Sequence, residues 1–348
     1  MTAVAGGHPP PAGPPVWHRG GVLQFADPAL EASLQDTLGQ TEAILRERLI
    51  SADPLITEAA QHLVVAGGKR FRPLLVALGG HFGDPSSPLL PTAAAVVELT
   101  HLATLYHDDV MDEAEVRRGA PSANSRWSNS VAILVGDYLF ARAADIAADL
   151  GTEAVRIQAK TFARLVHGQI AETVGPRGAD PVAHYLSVIE NKTASLIATS
   201  ARFGGMFGYA PTPVVEALAE FGEMIGVAFQ LSDDLLDIAS DATESGKTPG
   251  TDLREGVLTL PVLYALAGDD PDPQAVRLRE ILSGGAVTDE AEVAEALRLL
   301  RDSPALKQAR ETVRSYADRA RARLRPLPDV PARRALESLC DVIVDRTG

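Results

Sequence analysis

The sequence has a single cysteine, Cys340, in 348 residues. One thiol can neither close an intrachain disulfide nor build a cysteine-rich zinc site, so a reducing setting, the cytoplasm, is expected. Positive charge is also scarce. Lysine and arginine number 32 against 46 aspartates and glutamates, a net charge of -14. A chain this acidic is a poor partner for nucleic acid, although a local basic pocket stays open. No run of about 18 uninterrupted apolar residues occurs, so no membrane-spanning helix is expected. The stretch Met1–Gly20 lacks the basic start and apolar run of a signal peptide. It carries Pro9, Pro10, Pro11, Pro14 and Pro15 with several glycines, and residues 1–27 read as a disordered tail. The remaining composition, 46% apolar and 22% charged, is that of a globular chain.

From Pro28 onward most windows carry helical periodicity. Leu30, Leu34, Leu38, Ile44, Leu45 and Leu49 recur on one face. Helices are predicted over Pro88–Asp112, Trp127–Leu150, Glu153–Thr173, Asp180–Phe207, Pro213–Ile238 and Thr259–Leu266, with Gly/Pro breaks between them. No sustained alternation argues for a sheet. The expectation is an all-α fold, one large helical bundle over 28–348.

The strongest local signal is Asp108–Asp109–Val110–Met111–Asp112, repeated as Asp233–Asp234–Leu235–Leu236–Asp237. Residues four apart on a helix lie about 40° from each other, so the first and last Asp of each motif share a face. Like charges so placed destabilise a helix. One such motif matches a solvated acidic helix end equally well. Two copies, both in apolar flanks, point to a compensating cation. Oxygen ligands without His or Cys suit Mg²⁺.

Cations answer the acids. They are Gly67–Gly68–Lys69–Arg70–Phe71–Arg72–Pro73, Arg117–Arg118 beside the first motif, Lys192–Thr193, and Gly246–Lys247. Any single pair reads as surface charge; as a set they suit phosphate oxygens. His101, seven residues before Asp108, shares its face and is favoured as a ligand over a packed core histidine. His107 reads as structural.

Taken together these pieces resemble the class I trans-isoprenyl diphosphate synthases. The resemblance is carried, in order, by GGKRFRP, HDDVMDEAEVRRG, GDYLFA at Gly136–Ala141, NKT at Asn191–Thr193, FQLSDDLLD, and GKTPGTDLREG at Gly246–Gly256. It spans about Gly67 to Pro261. It implies a single all-α bundle around a deep central cavity, usually a homodimer, with three Mg²⁺ per active site. Asp108, Asp112 and Asp233 would bind the metal, and Asp237 would do so through water. Arg117, Lys192, Thr193, Gln230 and Lys247 would hold an allylic diphosphate, farnesyl or geranylgeranyl, with Asp234 among the substrate-binding residues. Lys69, Arg72, His101 and Arg118 would hold isopentenyl diphosphate.

The implied reaction breaks the allylic C–O bond and adds isopentenyl diphosphate to the cation. In the family, bulky residues just before the first motif stop growth. Here Ala103, Thr104 and the deeper Thr100 are small, which predicts a long all-trans product, about C30–C50, for quinone side chains. The alternatives are a farnesyl or geranylgeranyl diphosphate synthase, a class I terpene cyclase, and a non-catalytic partner subunit. A cyclase does not need the second set of cations, and an inactive subunit is expected to lose aspartates. The Arg-rich segment Ala309–Arg325 reads as a solvated helix or dimer rim rather than a membrane anchor, leaving only transient membrane contact during product release.

Overall fold

The structure is a computed structural model that describes residues 27–239 and 249–346. Helix α1 (Pro28–Arg48) starts where the Asp27 carboxylate accepts from the N–H groups of Ala29 and Leu30 and Pro28 presets the first turn. Helix α2 (Pro54–Val65) repeats the device with Asp53 and Pro54. Helix α3 (Phe71–Gly80) and helix α4 (Leu89–Met111) follow. A two-stranded ribbon, β1 (Val116–Arg117) and β2 (Ala120–Pro121), then turns through positive φ at Arg118 and Gly119. It is too short for an alternating pattern and was not expected. Next come α5 (Ala123–Arg126), α6 (Asn129–Asp149) and α7 (Thr152–Val174).

The predicted helix over 180–207 is two helices in line. Helix α8 (Pro181–Ile189) and α9 (Ser195–Phe207) are joined by one π-helical turn, Glu190–Ala194. Helix α10 (Thr212–Ala239) is the longest. Shorter helices close the described chain, among them Thr251–Glu255, Pro304–Leu324 and Pro331–Asp345.

Two apolar clusters make the core. One gathers α1, α10 and the C-terminal helices around Phe221, Leu231 and Leu300. The other gathers α2, α4, α6 and α7 around Tyr106, Leu99 and Leu139. Helices α3 and α9 supply residues to both. They cross closely: a Cβ on Gly79 would lie 2.9 Å from the Ala201 carbonyl oxygen. By length and composition alone helix α4 could cross a membrane. Most of it is buried inside the bundle, so it is a core helix.

Candidate active site

A cavity of about 520 Å³ opens between the start of α3, the second half of α4, helices α6, α7 and α10, and the π-turn. Its charged and polar lining includes Lys69, Arg72, His101, Asp108, Arg117, Arg118, Lys192, Thr193, Gln230 and Asp233. Its apolar lining includes Phe71, Leu105, Phe140, Phe162, Leu165, Val166 and Phe229. The rings of Phe140 and Phe162 pack with centroids 4.1 Å apart.

The first aspartate motif occupies the C-terminal turn of α4, where the helix dipole already disfavours anions. Burial raises the Asp108 carboxyl to about 6, with Lys192 pulling the other way. Asp109 is fully buried. It accepts from Arg117 Nε at 2.5 Å, while its Oδ2 has no hydrogen-bond partner. Asp112 caps the helix end and is half exposed, 3.9 Å from Arg117. The three carboxylates of one motif therefore meet three environments.

The ribbon folds Arg117 and Arg118 back over this end. Arg118 donates to the carbonyls of Leu63 and Gly67 and lies 3.7 Å from Glu98. A Cβ on Gly68 would come within 2.8 Å of the Arg118 guanidinium carbon, at φ +144°, which explains the second glycine of the GGKRFRP segment. Arg72 is a partly buried cation whose buried Nε has no partner. Burial, offset by Glu98 but reinforced by Arg118, lowers it to about 10. Burial, and then the neighbouring arginines with Arg72 foremost, hold His101 well below the ordinary histidine range. Glu98, overlooked in the sequence, is the counter-charge of this cluster. It is buried on α4 and accepts from Arg70 at 2.9 Å.

On α10, Asp233 faces the cavity and is paired with Arg346 from the C-terminal end of the described chain. Asp234 turns away. It accepts from the Tyr185 hydroxyl and from Gln230 Nε2 at 2.8 Å, and burial raises it to about 7 against those two hydrogen bonds. Gln230 Oε1 accepts from Thr193 at 3.2 Å, so a chain runs Thr193–Gln230–Asp234–Tyr185. Asp237 accepts from the backbone N–H groups of Thr251 and Asp252 at 3.2 and 3.0 Å. It anchors the segment after the motif. Lys192 Nζ lies 2.5 Å from Glu172. Lys247 lies outside the described residues.

The three residues expected to set product length separate. Thr104 is on the cavity wall. Ala103 and Thr100 are buried and are not among the residues lining this cavity. Helix geometry gives the reason: Thr104 lies about 40° from Asp108 around the axis, Thr100 about 80° and Ala103 about 140°. Ala103 instead backs onto Gly136 of α6. Thr100 donates to the Val96 carbonyl at 2.8 Å.

The polyprenyl synthetase family model matches residues 53–300. The chain belongs to the polyprenyl synthetase family. It is similar to a nonaprenyl diphosphate synthase of Mycobacterium tuberculosis, 50% identical over 328 residues, 94% of this chain and 97% of that one. Among solved structures, a geranylgeranyl pyrophosphate synthase of Corynebacterium glutamicum complexed with calcium and isoprenyl diphosphate is 46% identical with a TM-score of 0.85. The match covers 94% of this chain and all of that one. A decaprenyl diphosphate synthase of Rhodobacter capsulatus is 36% identical with a TM-score of 0.83, covering 92% and 99%. This polyprenyl synthetase is thus a prenyltransferase with an all-α fold.

The donor set of this synthetase suits a hard divalent ion. Among the described residues no three His, Cys, Asp or Glu side chains form a ready-made cage. Asp108 and Asp233 instead line one cavity from two helices. A few carboxylates with room for water and phosphate oxygens is the arrangement Mg²⁺ favours.

Proposed function

We propose that this synthetase condenses isopentenyl diphosphate with an allylic diphosphate, farnesyl or geranylgeranyl, to build an all-trans polyprenyl diphosphate of about C30–C50 for quinone side chains. One observation carries the reading: a single cavity is lined by two aspartates, a set of cations and a group of large apolar side chains. The charged lining suits two diphosphates and the apolar lining a prenyl chain.

Asp108, Asp112 and Asp233 would hold Mg²⁺, three ions per site. Asp237 would act through water, since backbone N–H groups already occupy its carboxylate. Bound Mg²⁺ supplies charge neutralisation for the leaving diphosphate. Lys192, Thr193, Gln230, Arg117 and Lys247 are assigned to the allylic diphosphate. Lys69, Arg72, His101 and Arg118 are assigned to isopentenyl diphosphate. Arg72, whose Nε has no partner, and His101 beside it line the cavity where an anion would bring a compensating charge. Asp234 acts through Gln230 rather than on substrate. The isopentenyl double bond attacks C1 of the allylic group as its C–O bond breaks. A proton then leaves the new chain for the released diphosphate. The apolar wall shields the cation from water.

A second reading, a geranylgeranyl diphosphate synthase, is favoured by the Phe140–Phe162 pair in the apolar lining. The exposed side chains Ile133 and Leu134 on α6 and Ile170 on α7 support a homodimer. The remaining placement is cytoplasmic, with transient membrane contact for product release. The deciding experiment incubates the protein with isopentenyl and farnesyl diphosphates and Mg²⁺, with and without EDTA, and reads the dephosphorylated products by mass spectrometry. A metal-dependent ladder to C30 or beyond is expected. A stop at C20 selects the second reading, and no elongation overturns both. Asp108→Ala and Asp233→Ala are each expected to lower turnover by at least a hundredfold with helicity intact by circular dichroism. Near-normal turnover in either would refute the metal assignment.

A further inference from the structure

The π-turn Glu190–Ala194 is the one interruption in the line from Pro181 to Phe207, and it carries Lys192 and Thr193 into the cavity. A π-turn inserts a residue into an α-helix and costs backbone hydrogen bonding, so it persists only where neighbours stabilise it. The Ser195 N–H reaches five residues back to the Glu190 carbonyl. Side chains serve the other groups. Asn191 Nδ2 donates to the Ser187 carbonyl at 2.8 Å, and Ser195 Oγ donates to the Asn191 carbonyl at 2.6 Å.

The remaining partner comes from another helix. Arg164 of α7 donates through Nη2 to the Glu190 carbonyl at 3.1 Å and through Nε to Asn191 Oδ1 at 3.3 Å. Its fork is held on both oxygens of Glu223 of α10, at 2.5 and 3.1 Å. Arg164 thus ties α7, α10 and the turn together. The packing agrees. A Cβ on Gly168 of α7 would lie 2.5 Å from the Lys192 nitrogen, and one on Gly226 of α10 would lie 2.6 Å from the Ala194 Cα. The turn is seated between two glycines, and the arginine fork locks it there. Arg164 and Glu223 are not among the residues lining the cavity.

We infer that Arg164, held by Glu223, is a positioning residue that fixes the π-turn in register so that Lys192 and Thr193 meet the allylic diphosphate. The inference rests on the assignment of those two residues proposed above. Only a planar fork can hold both carboxylate oxygens while also reaching a carbonyl and an amide oxygen; an ammonium cannot reproduce it. The effect is therefore specific to one substrate.

The test measures steady-state kinetics of Arg164→Ala, Arg164→Lys and Glu223→Gln with each substrate varied in turn, folding being checked by circular dichroism. The expected result is a rise of about tenfold or more in KM for farnesyl diphosphate, with KM for isopentenyl diphosphate within about twofold. Arg164→Lys should fail to restore it. In a Lys192→Ala/Thr193→Ala background, Arg164→Ala should add less than about twofold, because the residues it positions are gone. The inference is overturned if both KM values rise together, if neither moves, if Arg164→Lys restores wild-type KM, or if the effects multiply in the combined variant. The reading of the site fails separately, through Lys192→Ala/Thr193→Ala alone leaving farnesyl diphosphate binding unchanged. Should Arg164→Ala fail to fold, Glu223→Gln, which keeps size and one hydrogen bond, carries the same comparison.

Discussion

Replacing Thr104 with phenylalanine should shorten the product. Thr104 lines the cavity on the face that carries Asp108 and His101. Four residues at 1.5 Å each place it about 6 Å deeper along α4 than Asp108. With C–C bonds of about 1.5 Å, the four main-chain carbons of a five-carbon prenyl unit advance roughly 5 Å. A ring at position 104 therefore crowds the tail within one or two units of the diphosphate, and elongation should stop well short of C30. The cost to the fold should be small. Thr104 is partly open to the cavity, so overpacking costs about 1 kcal/mol rather than the larger values of a filled core. Ala103→Phe is the contrast: Ala103 is wholly buried and backs onto Gly136, so the same ring strains the α4–α6 contact by up to about 3 kcal/mol. The assay is the mass-spectrometric product ladder, with a urea melt for stability. A Thr104→Phe ladder as long as that of the wild type would refute the placement of the tail along this face.

The opposite change at the other wall should lengthen the product. Phe140→Ala removes one partner of the Phe140–Phe162 pair, and the ladder should gain at least one prenyl unit; an unchanged ladder would mean that the pair does not bound the chain. Cys340 offers a probe of folding. Burial is the main force that pushes its thiol up to about 12, so at pH 8 the folded protein should resist a thiol-specific reagent and react fully once unfolded in urea. Stoichiometric labelling of the native protein within minutes would contradict that burial.

The helices were readable where their apolar period acts locally, as at Leu30, Leu34, Leu38 and Leu45, all buried on one face of α1. The π-turn was not. Asn191, Lys192 and Thr193 carry no local signal for it, and what stabilises it comes from Arg164, Gly168 and Gly226 on other helices. The aspartate motifs stood out because they repeat, but their chemistry was only half legible. Periodicity could place Asp108 and Asp233 on a cavity face. It could not show that Asp109 is buried against Arg117, that Asp234 is held by Tyr185, or that Asp237 serves the backbone of Thr251 and Asp252. Arg346 reaches Asp233 across 113 residues, a separation at which no motif operates.

The basic segment shows why local reading stops where charges compete. Lys69, Arg70 and Arg72 look equivalent along the chain, yet burial divides them. Arg70 pairs with Glu42 and Glu98. Burial pulls its guanidinium down, and the two carboxylates more than offset this, so it stays above the usual arginine range. Its charge is spent on the fold. Arg72 is less enclosed than Arg70, but its Nε has no partner, and burial, partly offset by Glu98, takes it down to about 10. A buried N–H without a partner is costly, and the cost falls when an anion enters the cavity beside it. Glu98 makes the difference: its carboxylate is hydrogen-bonded to Arg70, lies 3.7 Å from Arg118 and partly offsets the burial of Arg72. One acid in the apolar run of α4 thus serves three arginines, and it leaves the Arg72 Nε without a partner.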